Sequence, residues 1–188
     1  SYVMLGGRCR YCKQPISPRY LIVELISATL WGFIPVVYTN YGLYYTIAYA
    51  VFVFFSLITA VIDWDYQEVQ SALLYIPLVI VGVLLWRSWP MALFLCLTFL
   101  VLYVFSLAVF KKQGLGDGDV IYAATCGFML TNPMLLGYFL LVCSTIGIIT
   151  ALLYALATHN KIKSLQFPFL PAMFTTTVVL IACAIIIL

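Results

Sequence analysis

The sequence predicts an all-α, polytopic membrane protein with about seven transmembrane helices, its N-terminus cytoplasmic and its C-terminus outside. Hydrophobic residues make up 65% of the 188 positions and charged residues only 8%, against roughly 25% charged in an ordinary soluble domain. Apolar runs long enough to cross about 30 Å of hydrocarbon recur along the chain. No strand-like alternation occurs, and backbone groups in lipid must be paired, so these runs are predicted to be helices.

The apolar runs follow a short polar segment and give seven spans. Residues 1–20 are predicted to form a short cytoplasmic segment with a Cys-x-x-Cys motif, and residues 21–188 one seven-helix membrane domain. Thr131, Asn132 and Pro133 interrupt the fifth span, where they predict an outer turn or a kink. The predicted spans lie near residues 21–38, 44–62, 72–86, 91–110, 120–136, 137–157 and 168–188.

Basic residues predict the orientation of these spans. With the N-terminus inside, Arg87 is the one basic residue on the outer side and the other eight lie on the cytoplasmic side. This bias follows the positive-inside pattern of membrane proteins. The eight cytoplasmic residues are Arg8, Arg10, Lys13, Arg19, Lys111, Lys112, Lys161 and Lys163.

Five of the six acidic residues fall in two short polar gaps, which this topology puts on the cytoplasmic face. Asp63, Asp65 and Glu68 follow the second span, and Asp117 and Asp119 precede the fifth. Glycine permits unusual backbone angles and close approach of another chain, so the second gap is predicted to present Asp119 to a substrate. Three glycines occupy alternate positions there: Gly114, Gly116 and Gly118.

Opposed carboxylates suit two chemistries, and the spacing alone does not decide between them. Two acids that share a proton act as one acid and one base, and can activate water against an amide. Asp-x-Asp pairs can also hold Mg²⁺ for a membrane phosphotransferase. A non-enzymatic alternative is a cation transporter, although acids near the cytoplasmic face rather than the bilayer midplane argue against it.

Four segments in matching order resemble the bacterial type IV prepilin peptidases, which are aspartic proteases of the inner membrane. Residues 7–25 are similar to that family's second Cys-x-x-Cys segment and the helix after it. Ile62-Asp63 resembles its first catalytic motif, and residues 114–120 resemble its glycine-rich second motif. Residues 167–171, Phe-Pro-Phe-Leu-Pro, are similar to the start of its last helix.

The resemblance implies an endopeptidase that cleaves the basic leader of prepilins or pseudopilins at the cytoplasmic face of the bacterial inner membrane. Asp63 and Asp119 would be its catalytic pair. Asp117 also follows a Gly-x-Gly, but Asp119 follows the doubled pattern and precedes Val, as in the family. The field at the helix ends predicts an ionised Asp119 and a protonated Asp63. Supporting or alternate candidates are Asp117, Asp65, Gly114, Gly116, Gly118 and Glu24.

Cofactors and partners are expected as follows. Proteolysis by an acid pair requires no cofactor. Cys9 and Cys12 supply two of the four ligands of a closed zinc site, with His159 a candidate third. Family members also methylate the new N-terminus with S-adenosylmethionine, an activity left open because residues 1–20 are too short for a nucleotide-binding fold. Expected partners are prepilin-like substrates and the lipid bilayer, and a net charge of +3 does not indicate nucleic-acid binding.

Overall fold

Helices form almost the whole of the computed structural model, which describes Tyr2 and residues 4–66, 69–110, 116–158 and 169–187. Within these ranges the one extended pairing is an antiparallel bridge between Arg8 and Pro15. The predicted all-α class is therefore confirmed. The helices are α1 (Pro18–Gly32), α2 (Ile34–Tyr41), α3 (Leu43–Tyr66), α4 (Ser71–Leu84), α5 (Trp89–Phe110), α6 (Asp117–Met129), α7 (Met134–Thr158) and α8 (Leu170–Ile187).

The predicted first span consists of two consecutive helices. Pro18 begins α1, where its missing N–H breaks no hydrogen bond, and the Ser17 hydroxyl accepts a bond from the Arg19 N–H at 3.4 Å. Pro35 lies in the first turn of α2, so the break between the helices falls at Phe33, just before it. The two helices together are apolar enough to cross a membrane.

Three segments of the described chain are long and apolar enough to span a bilayer: Pro18–Tyr41, Leu43–Tyr66 and Trp86–Ala108. Shorter apolar helices cover Ser71–Leu84, Met134–Ile149 and Leu170–Ile186. These six segments and α6 follow one another in the order of the predicted spans, and together they support a membrane protein.

Two predicted boundaries were wrong, and both errors affect the acidic residues or their helix. The second span continues past residue 62 to Tyr66, so Asp63 and Asp65 are helical rather than in a polar gap. The fifth ends at Met129 instead of residue 136, although the turn predicted at Thr131, Asn132 and Pro133 is present. Asn132 explains this second difference, because its Oδ1 accepts a 3.0 Å hydrogen bond from the Met134 N–H and starts a new helix, α7.

The short helix α6 lies at the centre of the bundle. Most of its residues from Asp119 to Met129 are buried, and it contacts α3, α4, α5 and α8. Its Tyr122 ring stacks on Phe52 of α3, with centroids 6.1 Å apart. Lipid is as apolar as these side chains, so close packing rather than exclusion of water stabilises such contacts within a bilayer.

Large apolar side chains cover the outer faces of the bundle. They are exposed along helices that have no described protein neighbour on that side, as expected for surfaces that contact lipid. Examples on α3, α4, α5 and α7 are Phe54, Val79, Val101 and Leu141.

Candidate active site

Asp63 lies in the last turn of α3, at the end of a polar stripe. Ser56, Thr59 and Asp63 are spaced by three and four residues, which puts them on one face of the helix. All three are buried, Asp63 to 7% exposure. The Oδ2 atom of Asp63 accepts a 3.2 Å hydrogen bond from the backbone N–H of Leu170, the first residue of α8. The first N–H groups of a helix have no partner within it, so this bond satisfies both groups.

Asp119 lies in the first turn of α6 and is buried to 8% exposure. Its Oδ2 accepts a 2.9 Å hydrogen bond from the Gly116 N–H, and its own N–H donates to the Gly116 carbonyl at 3.2 Å. A Cβ at position 118 would lie 3.1 Å from Cδ1 of Leu74, so Gly118 lets α6 approach α4 closely. Gly114, the third predicted glycine, lies outside the described residues.

The fold brings Asp63 and Asp119 together, because α3, α6 and α8 contact one another pairwise. Burial is the main cause that raises the pKa of Asp119 to about 7; the hydrogen bond from Gly116 opposes this rise, and the charges on Asp63 and Asp117 contribute to it. Burial thus opposes the helix-end field that predicted an ionised Asp119. Two neighbouring buried carboxyl groups do not both ionise readily, so the pair can hold a single proton near neutral pH.

The other predicted acids that the structure describes are exposed rather than buried with this pair. Asp65 accepts a 2.6 Å hydrogen bond from Nη1 of Arg19, in a solvent-exposed ion pair that joins α3 to α1. Asp117 is exposed and accepts from the Gly118 N–H at 2.9 Å. Glu24 is exposed on α1, and Glu68 lies outside the described residues. Each Asp-x-Asp pair therefore has one buried and one exposed acid, an arrangement that does not favour a shared Mg²⁺ site.

Comparison with known proteins identifies the family. Residues 50–156, which include both buried acids, match the model of the type IV leader peptidase family. The chain belongs to this family. Residues 1–38 also match the bacterial peptidase A24 N-terminal domain. No solved structure matches the chain.

Curated relatives of this peptidase-family chain carry related names. It is 30% identical to the type 4 prepilin-like proteins leader peptide-processing enzyme of Escherichia coli O78:H11, over 89% of the chain and 63% of the relative. It is 31% identical to the prepilin leader peptidase/N-methyltransferase of Pseudomonas aeruginosa, over 68% and 46%, and 30% identical to that of Myxococcus xanthus, over 84% and 49%. The chain thus spans about half to two thirds of these relatives' lengths.

Cys9 and Cys12 lie in a tight hairpin before the first helix. The Cys9 N–H donates to the Gln14 carbonyl at 2.9 Å, and the Lys13 N–H donates to the Cys9 carbonyl at 3.1 Å. Hydrogen bonds from the backbone of Cys12 and Tyr11 lower the pKa of the Cys9 thiol, which favours a metal-binding thiolate. The described residues include no group of three or more potential ligands. The two thiols therefore fit half of a closed zinc site, and His159 lies outside the described residues.

Sequence reasoning about this family member missed the groups that hold Asp63. Leu170 contributes a backbone N–H, which leaves no chemical signal in the sequence. Ser56 and Thr59 could have been recognised, because hydroxyl residues at helical spacing from an intramembrane acid indicate a buried polar face.

Proposed function

We propose that the protein is a membrane aspartic endopeptidase that removes the basic leader of type IV prepilins or pseudopilins. The observation that carries the proposal is the pair of buried acids, Asp63 on α3 and Asp119 on α6, whose charges interact in a chain of the leader peptidase family. Aspartic proteolysis uses two neighbouring carboxyl groups, one ionised and one protonated. The names of the relatives supply the substrate class.

In the proposed reaction, the ionised carboxylate of the pair takes a proton from water, and the water oxygen attacks the scissile carbonyl carbon. The protonated partner donates to the carbonyl oxygen. The tetrahedral intermediate then breaks at the C–N bond, and the leaving amine receives the proton that was taken from water. As the carbonyl re-forms, a hydroxyl of the intermediate returns a proton to the partner acid, which restores the starting state of the pair. The pKa of Asp119, about 7, keeps both protonation states accessible near neutral pH.

The membrane arrangement is part of the proposal. We place the N-terminus in the cytoplasm, the C-terminus outside, and seven spans between them in the bacterial inner membrane, on the strength of the basic-residue bias. The acid pair then lies near the cytoplasmic surface, where water is available. An impermeant thiol reagent should label Arg87→Cys from outside intact cells and Cys12 only in inverted vesicles. The reverse pattern would refute this orientation.

Substrate and cofactor use follow from the same site. Exposed Asp117, two residues from Asp119, contributes negative charge beside the pair, which suits a leader that carries Lys or Arg. The proposed acid–base step uses no metal, so zinc at Cys9 and Cys12 would stabilise the N-terminal hairpin rather than take part in cleavage. The proposal for this chain is limited to cleavage and leaves methylation by S-adenosylmethionine aside.

Co-expression with a prepilin, followed by leader removal on a gel, tests the proposal. Asp63→Asn and Asp119→Asn should each reduce cleavage at least a hundredfold, because an amide keeps the shape but cannot exchange the proton. Asp65→Asn and Asp117→Asn are matched controls at exposed neighbours and should retain cleavage. If Asp119→Asn cleaves normally and Asp117→Asn does not, the second acid has been misassigned. A wild-type chain that leaves every prepilin uncut would refute the function.

A further inference from the structure

The start of α8 is the part of the fold that contacts Asp63 most directly. The bond from the Leu170 N–H to Asp63 Oδ2, 3.2 Å long and buried, joins residues 107 positions apart in sequence. Its donor is a backbone group, so the position of the donor depends on whatever holds the first turn of α8 in place. An acid that reacts must be held in a defined geometry, since displacements near 1 Å can reduce a rate about a hundredfold.

Phe169 holds this first turn. Its carbonyl accepts hydrogen bonds from the N–H groups of Ala172 and Met173, at 3.1 and 3.2 Å, so it is the residue from which α8 begins. Its ring packs against the buried ring of Phe99 in α5, with centroids 6.1 Å apart. The residue next to the Asp63 donor is thus anchored by a side chain that reaches a different helix.

Gly147 of α7 provides the space for that ring on another side. A Cβ at position 147 would lie 2.7 Å from Cε2 of Phe169, a separation that real Cβ atoms do not show. The ring could respond only by moving, and Phe99 limits that movement. Glycine at position 147 therefore leaves room for the Phe169 ring, and the ring fixes the position of the first turn of α8.

We propose that Phe169 and Gly147 are positioning residues for Asp63: they hold the Leu170 N–H against its carboxyl group. The expected effects on kinetics rest on the proposed function. The expected effect on the position of the Leu170 N–H does not. Neither residue contacts the reacting groups. They act through the backbone at Leu170. A glycine and a phenylalanine far from Asp63 in sequence therefore determine the position of its hydrogen-bond donor.

Among the residues that the structure describes, few ionisable groups face Asp63. Asp119 faces it from α6, and Asp65 on the same helix is paired with Arg19 of α1. The helix α8 has no ionisable side chain before Cys183, and the one ionisable residue of α4, Tyr75, is exposed. The backbone donor at Leu170 bonds directly to the Asp63 carboxyl group, so its displacement should alter the pH dependence of the reaction.

Gly147→Ala is the first test, with Gly137→Ala as the matched control. Both glycines lie in α7, but a Cβ at position 137 meets nothing within 4 Å. Gly147→Ala should lower kcat about tenfold or more with little change in KM, and should shift the pH–rate profile, because the Asp63 carboxyl group loses a donor. Gly137→Ala should match wild type. A Gly147→Ala variant with normal kcat and pH profile, or altered in KM alone, would overturn the inference.

Phe169→Leu is the second test, and it remains informative if Gly147→Ala does not fold. The smaller side chain should by itself lower kcat and shift the pH–rate profile. In the Phe169→Leu background, Gly147→Ala should cause no further loss, because the added methyl group acts through the ring. Losses that simply multiply would show that the two residues act separately, contrary to the proposal.

A measurement without substrate separates this inference from the proposed function. The infrared carboxyl bands of Asp63, identified by their absence in Asp63→Asn, should shift in Gly147→Ala and stay unchanged in Gly137→Ala. If the wild-type protein cleaves no prepilin but the bands shift, the proposed function fails and the positioning role stands. If the bands do not shift, the positioning role is refuted whatever the cleavage assay shows.

Discussion

Gly127 of α6 lies directly against the backbone of Ala92 in α5. A Cβ at position 127 would be 2.5 Å from the Ala92 Cα and 2.8 Å from its nitrogen. The obstructing atoms belong to the main chain, which cannot rotate away as a side-chain tip can. The close approach of α5 and α6, and so the position of α6 in the bundle, requires a residue without a side chain at position 127.

Gly127→Ala should therefore destabilise the protein, on the order of 1–3 kcal/mol or more, because two helices must move apart. Gly137→Ala, which meets open space in α7, should be neutral or stabilising, since alanine is the better helix former. Thermal unfolding in detergent measures both. Equal melting temperatures for the two variants would contradict the close packing of α5 and α6.

A hydrogen bond from Tyr45 connects the start of α3 to the end of α6. Its hydroxyl donates a 2.6 Å hydrogen bond to the carbonyl of Met129, the last residue of α6, and the bond is buried. Tyr45→Phe would leave this terminal carbonyl unpaired, at a cost of roughly 1–3 kcal/mol. Tyr44→Phe is the control, because Tyr44 is exposed. Thermal unfolding should separate the variants, and an unaffected Tyr45→Phe would show that the bond contributes nothing.

Asp119→Asn should raise thermal stability at alkaline pH while abolishing cleavage. The pKa of Asp119 rises from 3.8 to about 7 on folding. The folded protein therefore binds more protons than the unfolded chain between these values, and stability falls as pH rises through that window. Asparagine lacks this penalty and can still accept the Gly116 hydrogen bond.

The gain should be largest at about pH 8 and vanish at about pH 3, below the unfolded value of 3.8, where the aspartate is protonated in both states. Each kcal/mol corresponds to roughly 2–4 °C in Tm for a chain of this size. Asp117→Asn, at an exposed acid, should show no such pH-dependent difference. A gain that is the same at every pH would mean that the charge on Asp119 is not the cause.

Cleavage should survive removal of divalent cations, since the acid pair activates water without a metal. We expect the purified protein to process a prepilin in detergent with chelator present, at a rate within about twofold of the untreated protein. Any slow loss of cleavage activity during long exposure to the chelator should be absent from a Cys9→Ser, Cys12→Ser variant. An immediate loss in that variant, restored by Mg²⁺, would favour a metal-dependent reaction.

The sequence was sufficient to predict the all-α class, the family and the order of the helices. Long apolar runs and the paucity of charge are properties of composition, so they need no knowledge of packing. The ends of the helices were harder to predict from the sequence. Asp63 was expected near the inner end of the second span, and α3 carries it inside its last turn. Its neighbours there, Leu170 and Asp119, could be identified only from the fold.

The different environments of Asp119 and Asp117 also required the fold. The motif favoured Asp119, but only packing against neighbouring helices explains why it is buried and Asp117 exposed, two residues away. The roles of Gly147 and Phe169 could not be predicted, because a close approach between a glycine and an aromatic ring depends on how α7 and α8 pack. Such contacts leave no periodic pattern along the chain.

The position of Asp63 near the end of a long helix makes bilayer thickness a variable for this site. About 30 Å separates Leu43 from Asp63 along α3, at 1.5 Å per residue, which equals the thickness of a typical hydrocarbon core. In lipids with longer acyl chains the acid pair would be drawn below the headgroups and away from water, unless the helix tilts less or the lipid thins. Acyl-chain length could then regulate the reaction without any ligand, and cells that remodel their lipids would change the rate of the enzyme.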